Sequence, residues 1–166
     1  LLYSKTFKTV GSAIGKAIGA YYASRHNVLC FVGDQGFQFN IQELQYISYH
    51  KLPIKIIVIN NSSPGMMKSS EKRLGYSYFL HTTLQTGYSN PSFKKIACAY
   101  EIDYMRISNG KVCDENIAFI QADKPGILEI VIEDSIEVEQ ILPVGNDCTD
   151  FLPKLDAQLK VYLDQL

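Results

Sequence analysis

Four short apolar runs, each following a stretch with helical spacing, constrain this chain more than any other feature. They are "NVLCFVG" (27–33), "IKIIVIN" (54–60), "IDYMRI" (102–107) and "GILEIVI" (126–132). The first two are almost wholly apolar, as expected of parallel strands covered on both sides. Ahead of the first, "GSAIGKAIGAYYAS" places small residues at 11, 15 and 19 and follows apolar Val10 with apolar residues at 14, 18 and 21. That spacing predicts a helix with one face flat enough to lie close to a sheet. Ile41, Leu44 and Ile47 give helical spacing to "IQELQYISYH", and Pro53 closes the turn after it. After a polar loop, "NPSFKKIACAY" reads as a helix with Asn90 as N-cap and Pro91 in the first turn. "CDENIAFIQA" reads as another, and "FLPKLDAQLKVYL" ends the tail in helix. The alternation predicts an α/β fold: an open parallel sheet flanked by helices on both faces.

No repeat or boundary interrupts 1–166, so a single domain is expected. The chain starts at Leu1 and reaches helical pattern without a leading strand, as a piece of a longer chain would. Its 46% hydrophobic content and net charge of -1 fit a soluble globular protein and argue against a nucleic-acid surface. No apolar stretch approaches membrane-spanning length, so no membrane association is expected. Cys30, Cys98, Cys113 and Cys148 form no CxxC pair, which points to a reducing, cytoplasmic compartment and away from a zinc site.

The first two strands end in polar punctuation: Gly33-Asp34-Gln35-Gly36 and Asn60-Asn61. In a right-handed βαβ unit both strand ends lie on one edge of the sheet, the edge where open α/β sheets bind ligands. Asp34 and Asn61 can therefore converge although far apart in sequence. A carboxylate, an amide oxygen and a loop carbonyl are hard ligands suited to Mg²⁺ or Ca²⁺. Gly36 leaves backbone N–H groups uncovered for an anion, and a helix starting near Asn40 would add its positive end. The local physics favours a divalent cation holding a phosphorylated ligand. Against that stands simple turn chemistry, since Gly-Asp and Asn-Asn are common turn dipeptides.

Gly33-Asp34, about two dozen residues and then Asn60-Asn61 resembles the thiamine diphosphate signature written GDG…NN. "GDQGFQFNIQELQYISYHKLPIKIIVINNSSPGM" is similar to the acetolactate synthase branch of that family, with its FQMNIQEL, LPVK and NNxxxGM elements. "GYSNPSFKKIACAYEI" resembles the next segment there, so the likeness runs from about Thr9 to Ile132. It implies a C-terminal thiamine diphosphate-binding domain with Mg²⁺ held by Asp34, Asn61 and the backbone carbonyl of Ser63. Gly33, Gln35 and Gly36 would line the diphosphate, with Phe37 beside them and Asn60 supporting the loop. Gly65, Met66 and Val10 would lie beside the cofactor.

Two departures accompany the resemblance. Gln35 and Gly36 stand where the family often has Gly or Ala and then Ser. "KTVG" aligns with a GTMG element, placing Lys8 at a glycine and Val10 at the large apolar residue that props the cofactor. The catalytic Glu of the family belongs to a pyrimidine-binding domain of a neighbouring subunit, so no catalytic residue is expected here. Neither Glu43 nor Glu71 stands in the matching context. The resemblance implies a homo-oligomeric enzyme that decarboxylates and joins small 2-oxo acids, a transferase or lyase. The isolated chain would then be inactive, with exposed apolar surface near Val10, Phe37, Phe39 and Met66 and a mobile loop from Ser62 to about Thr86. It would dimerise at least weakly.

Three other readings stay open: a non-catalytic interaction module, another lyase of the superfamily, and a flavodoxin-like nucleotide binder. "GSAIGKA" has one residue too few between its glycines for a Walker A loop and has no strand before it. His26, His50 and His81 have no partner at recognisable spacing. Tyr76 and Tyr78 read as packing or interface residues, and Glu133, Asp134, Glu137 and Glu139 as a solvated face.

Overall fold

The structure, a computed structural model, describes residues 9–108 and 110–134 and five positions between 154 and 161. The chain divides into two compact units, Leu1–Asp134 and Ser135–Leu166, and the sheet with its helices belongs to the first. Lys8, Cys148 and most of the expected tail helix lie outside the described residues.

All four apolar runs are strands: β1 (Val28–Gly33), β2 (Ile54–Asn60), β3 (Asp103–Ile107) and β4 (Gly126–Val131). They form one parallel sheet in the order β1-β2-β4-β3. The helices are α1 (Ala13–Ser24), α2 (Asp34–Gln38), α3 (Glu43–Tyr49), α4 (Gly65–Arg73), α5 (Phe93–Ala99) and α6 (Asp114–Gln121). Strand residues of alternate parity serve opposite faces of the sheet. Ile54, Ile56, Val58 and Ile127 pack with Ile14, Phe37, Leu44, Ile47, Phe93 and Ala97 on one face. Ile57, Ile107 and Leu128 pack with Phe119 and Ile120 of α6 on the other. The α/β class with helices on both faces is what the sequence predicts.

Four local expectations are corrected. In α1 the glycine stripe does not face the sheet, because Gly15 and Gly19 look outward with open space around them. Ile14, Ala17, Ile18 and Tyr21 make the buried stripe, a continuous i, i+3, i+4 row in which side chains supply the contact. The helix expected to begin near Asn40 begins at Glu43 instead; α2 starts at once at Asp34 and a turn separates it from α3. The polar segment after β2 contains α4, whose three basic side chains and lack of buried residues hide it from an apolar-spacing test. Finally, Ser92 caps α5 by accepting from Lys95 N–H at 3.3 Å, which frees Asn90 for another role.

Phe37 is also corrected. It is fully buried rather than exposed, edge-on to Phe93 with ring centroids 5.3 Å apart. Such a pair adds about 0.5–1.5 kcal/mol beyond its buried area. It locks α2 to α5 directly beneath the C-terminal edge of the sheet.

Candidate functional site

β1 and β2 pair in register up to Gly33 opposite Ile59, so Asp34 leaves β1 beside Asn60, the last residue of β2. Asp34 is 2% exposed. Its Oδ1 accepts from Gln35 N–H at 2.7 Å, and its Oδ2 accepts from Ser63 N–H at 3.3 Å and Asn90 Nδ2 at 2.7 Å. Strand ends that sequence separates by almost thirty residues are thus joined by a direct hydrogen bond.

The Asn pair turns the chain. Asn60 Oδ1 accepts from Ser62 N–H at 3.0 Å, which holds Ser62 in left-handed backbone at φ 53°. An asparagine that bonds two residues ahead supplies the local compensation such a conformation needs. Ser63 is then buried, its Oγ donating to Thr82 O at 2.8 Å and its carbonyl accepting from Gly65 N–H at 2.8 Å. Asn61 is half-buried and lies against the start of α4: a Cβ on Gly65 would sit 2.9 Å from Asn61 Nδ2. Glu71 ties α4 back to the loop, accepting from Thr82 Oγ1 at 2.7 Å and Leu80 N–H at 3.4 Å.

Val10 also reaches the site. A Cβ on Gly36 would lie 3.2 Å from Val32 Cγ2 and 3.8 Å from Val10 Cγ1, so the glycine allows the 9–11 segment to pass closely. Gly11, at φ 90°, presses on Phe39 so tightly that a Cβ there would meet Phe39 Cβ at 2.5 Å. Its carbonyl accepts from Asn40 Nδ2. Of the expected residues, Gly33, Asp34, Gln35, Gly36, Asn60, Asn61, Ser63 and Gly65 gather at this edge with Val10 beside Gly36. The Phe37 ring turns into the core, and Met66 projects outward at 80% exposure.

Sequence reasoning missed the second half of the network. Asn90 links Asp34 to Asn60, donating to Asn60 Oδ1 at 3.0 Å. Asn60 Nδ2 donates to Glu129 Oε1 at 2.7 Å. Glu129 is buried on β4, accepts a hydrogen bond from the Tyr104 hydroxyl, and has Arg106 Nε 3.9 Å away. Burial, reinforced by the Asp34 carboxylate, raises the Tyr88 hydroxyl pKa above the ordinary tyrosine range. Burial and Glu129 do the same to Tyr104. Both phenols therefore stay protonated as donors. The missed signal was Glu129 itself, since a carboxylate inside "GILEIVI" demands buried partners.

The domain is thus an open parallel α/β sheet carrying a carboxylate and paired asparagines at adjoining strand ends. Residues 1–130 match the model of the thiamine pyrophosphate enzyme C-terminal TPP-binding domain, and the chain belongs to that family. It is 33% identical over 147 residues to the acetolactate synthase large subunit of Lactococcus lactis, covering 87% of this chain and 25% of that protein. It is 28% identical over 149 residues to the isozyme 2 large subunit of Escherichia coli, covering 89% and 27%. The chain thus spans about a quarter of the length of these relatives. Among solved structures, the thiamine diphosphate-dependent 4-hydroxybenzoylformate decarboxylase of Rhodococcus jostii shares the fold at a TM-score of 0.63. The identity there is 23%, covering 75% of this chain and 23% of that one.

Proposed function

We propose that this chain, read as one domain over 1–166, binds thiamine diphosphate and Mg²⁺ for an acetolactate synthase-like enzyme. The observation that carries this reading is the state of Asp34. Its carboxylate is buried, its three hydrogen bonds come from neutral N–H groups, and no cationic side chain among the described residues pairs with it. A buried charge is normally paired or coordinated to a metal. A carboxylate offers about four acceptor positions, so Asp34 retains one for a cation.

In this reading Asp34 and the Asn61 amide oxygen are side-chain ligands, and Ser63 adds its carbonyl. That carbonyl has a second lone pair beyond the one given to Gly65 N–H. An all-oxygen donor set fits Mg²⁺ with phosphate and water completing the shell. Gly33, Gln35 and Gly36 offer backbone to the diphosphate, and Asn60 holds the turn that presents Asn61 and Ser63. Phe37 supports this backbone from the core, while Val10, Gly65 and Met66 flank the cofactor. When bound, the cofactor supplies the chemistry of 2-oxo acid decarboxylation and carboligation; the domain positions it.

Val10, Phe39 and Met66 are exposed at 56%, 57% and 80% beside the site. We assign that surface to the pyrimidine-binding domain of a neighbouring subunit in a homo-oligomer, and place the catalytic Glu there. Exposed Cys98 and Cys113 are free thiols, in keeping with a reducing cytoplasm. The test is calorimetry of thiamine diphosphate binding to the full-length protein with and without Mg²⁺. Asp34→Ala abolishes Mg²⁺-dependent retention, and Asn61→Ala weakens it less because water replaces an amide oxygen. Unchanged affinity in Asp34→Ala overturns the metal site; a larger loss at Asn61 overturns the ranking.

A further inference from the structure

Asn90 stands where side chains from α2, β2 and the segment before α5 meet. A carboxamide has two N–H donors and an oxygen with two lone pairs. Here all four are used: Nδ2 donates to Asp34 Oδ2 at 2.7 Å and Asn60 Oδ1 at 3.0 Å. The oxygen Oδ1 accepts from Gln38 Nε2 at 2.8 Å and the Tyr88 hydroxyl at 2.9 Å.

Chemistry fixes the direction of this network. Glu129 accepts only, so it draws Asn60 Nδ2 and turns Asn60 Oδ1 towards Asn90. Asp34 also accepts only. Rotating the Asn90 amide by a half-turn would put its oxygen against a carboxylate and a carbonyl oxygen. It would leave the Gln38 Nε2 donor facing an NH₂ group. One orientation alone satisfies every atom.

We infer that Asn90 is a positioning residue for the Asp34 carboxylate. It holds one carboxylate oxygen and the Asn60 turn in a fixed relation, so that Asp34, Asn61 and Ser63 are arranged before a cation arrives. This rests on the reading of Asp34 as a metal ligand. Asn90 itself is not a ligand, and Ser92 rather than Asn90 caps α5. Its hydrogen bonds serve the strand-end cluster, so its removal acts on the site more than on the helix.

The test compares full-length Asn90→Ala, Tyr88→Phe, Ser92→Ala and Asp34→Ala with the parent. Two quantities are read: the Mg²⁺ dissociation constant at saturating thiamine diphosphate, and the melting temperature without metal or cofactor. Asn90→Ala weakens Mg²⁺ about tenfold or more, as loss of an outer partner of a metal ligand does. Tyr88→Phe, which preserves packing, weakens it about threefold. Ser92→Ala lowers the melting temperature while the Mg²⁺ constant stays within about twofold, because it removes only a helix cap. If Asn90→Ala and Tyr88→Phe move the constant no more than Ser92→Ala, Asn90 is only structural and the inference is overturned. Should Asn90→Ala fail to fold, Tyr88→Phe decides alone, and an unchanged constant overturns it. Asp34→Ala separates the two levels: Mg²⁺ affinity surviving there defeats the metal reading as well.

Discussion

At the N-terminal edge of the sheet, Lys55 is 3% exposed and its ammonium donates to the carbonyls of Ala122 and Lys124, where α6 has just ended. At the C-terminal edge, Asp34 is 2% exposed and accepts from N–H groups where α2 begins. Each charge meets the complementary end of a helix, as the partial charges on unsatisfied backbone groups favour. The difference lies in what else surrounds them. Lys55 lies over the Phe119 ring, 5.8 Å from its centroid, in a corner closed by Gly126. A Cβ on Gly126 would meet Phe119 at 2.8 Å and Lys55 Cδ at 3.0 Å. Asp34 instead lies against the loop after β2, accepting from Ser63 N–H and Asn90. One edge is finished by the chain; the other, in the proposed reading, keeps capacity for a ligand.

The largest expected effect breaks the finished edge. Lys55→Met keeps the aliphatic stem but leaves the Lys124 carbonyl without its donor, while the Ala122 carbonyl keeps the Lys124 N–H. An unsatisfied polar group costs about 1–3 kcal/mol, so a loss of about 2 kcal/mol in chemical denaturation is expected. Mg²⁺ affinity should be unchanged, since the two edges share no partner. A Lys55→Met protein that kept its stability and lost metal affinity would dissolve the distinction between the edges.

Legibility in the sequence divides along the same line. Strands and both strand-end motifs can be read because their signals are local: apolar runs and turn dipeptides. Convergence of Asp34 with the loop after Asn60 comes from the handedness of a βαβ unit alone. Lys55 inside "IKIIVIN" and Glu129 inside "GILEIVI" pass as strand residues, although each requires a buried partner distant in sequence. Asn90 misleads because a Ser two residues on competes for the cap, and only tertiary structure decides between them. The glycines of α1 mislead in the same way, since spacing cannot say which face of a helix turns inward.

Between the edges a charge should be unwelcome, and Cys30 tests this. It lies mid-strand in β1 at 5% exposure, and burial pushes its thiol from 9.0 up to about 11. A pKa raised by folding gives stability that is whole below the unfolded value and is lost as pH climbs towards the folded one. The stability difference between the parent and Cys30→Ala should therefore shrink from pH 9 to 11, by about 1–2 kcal/mol on the conversion of 1.36 kcal/mol per unit. Urea denaturation of both proteins at several pH values measures it. A difference independent of pH would show that the strand interior tolerates a thiolate.

The smallest expected effect is the most selective, and it concerns the open edge. Gly65 begins α4 with ordinary helical backbone, so alanine is not strained there by conformation. The one heavy atom a Cβ would crowd is Asn61 Nδ2, at 2.9 Å. That atom ends a short, rotatable side chain, so the clash is relieved by turning the amide rather than by moving backbone. Helix propensity meanwhile favours alanine over glycine by up to about 1 kcal/mol. The two consequences have opposite signs: Gly65→Ala should hold or raise the melting temperature of the apo protein by a few degrees at most. It should weaken Mg²⁺ about threefold, the equivalent of under 1 kcal/mol in amide positioning. Calorimetry and thermal melting on the same preparation separate these outcomes. If stability and Mg²⁺ affinity rise together, the Asn61 amide was not poised for a metal, and the open edge takes its ligand without it.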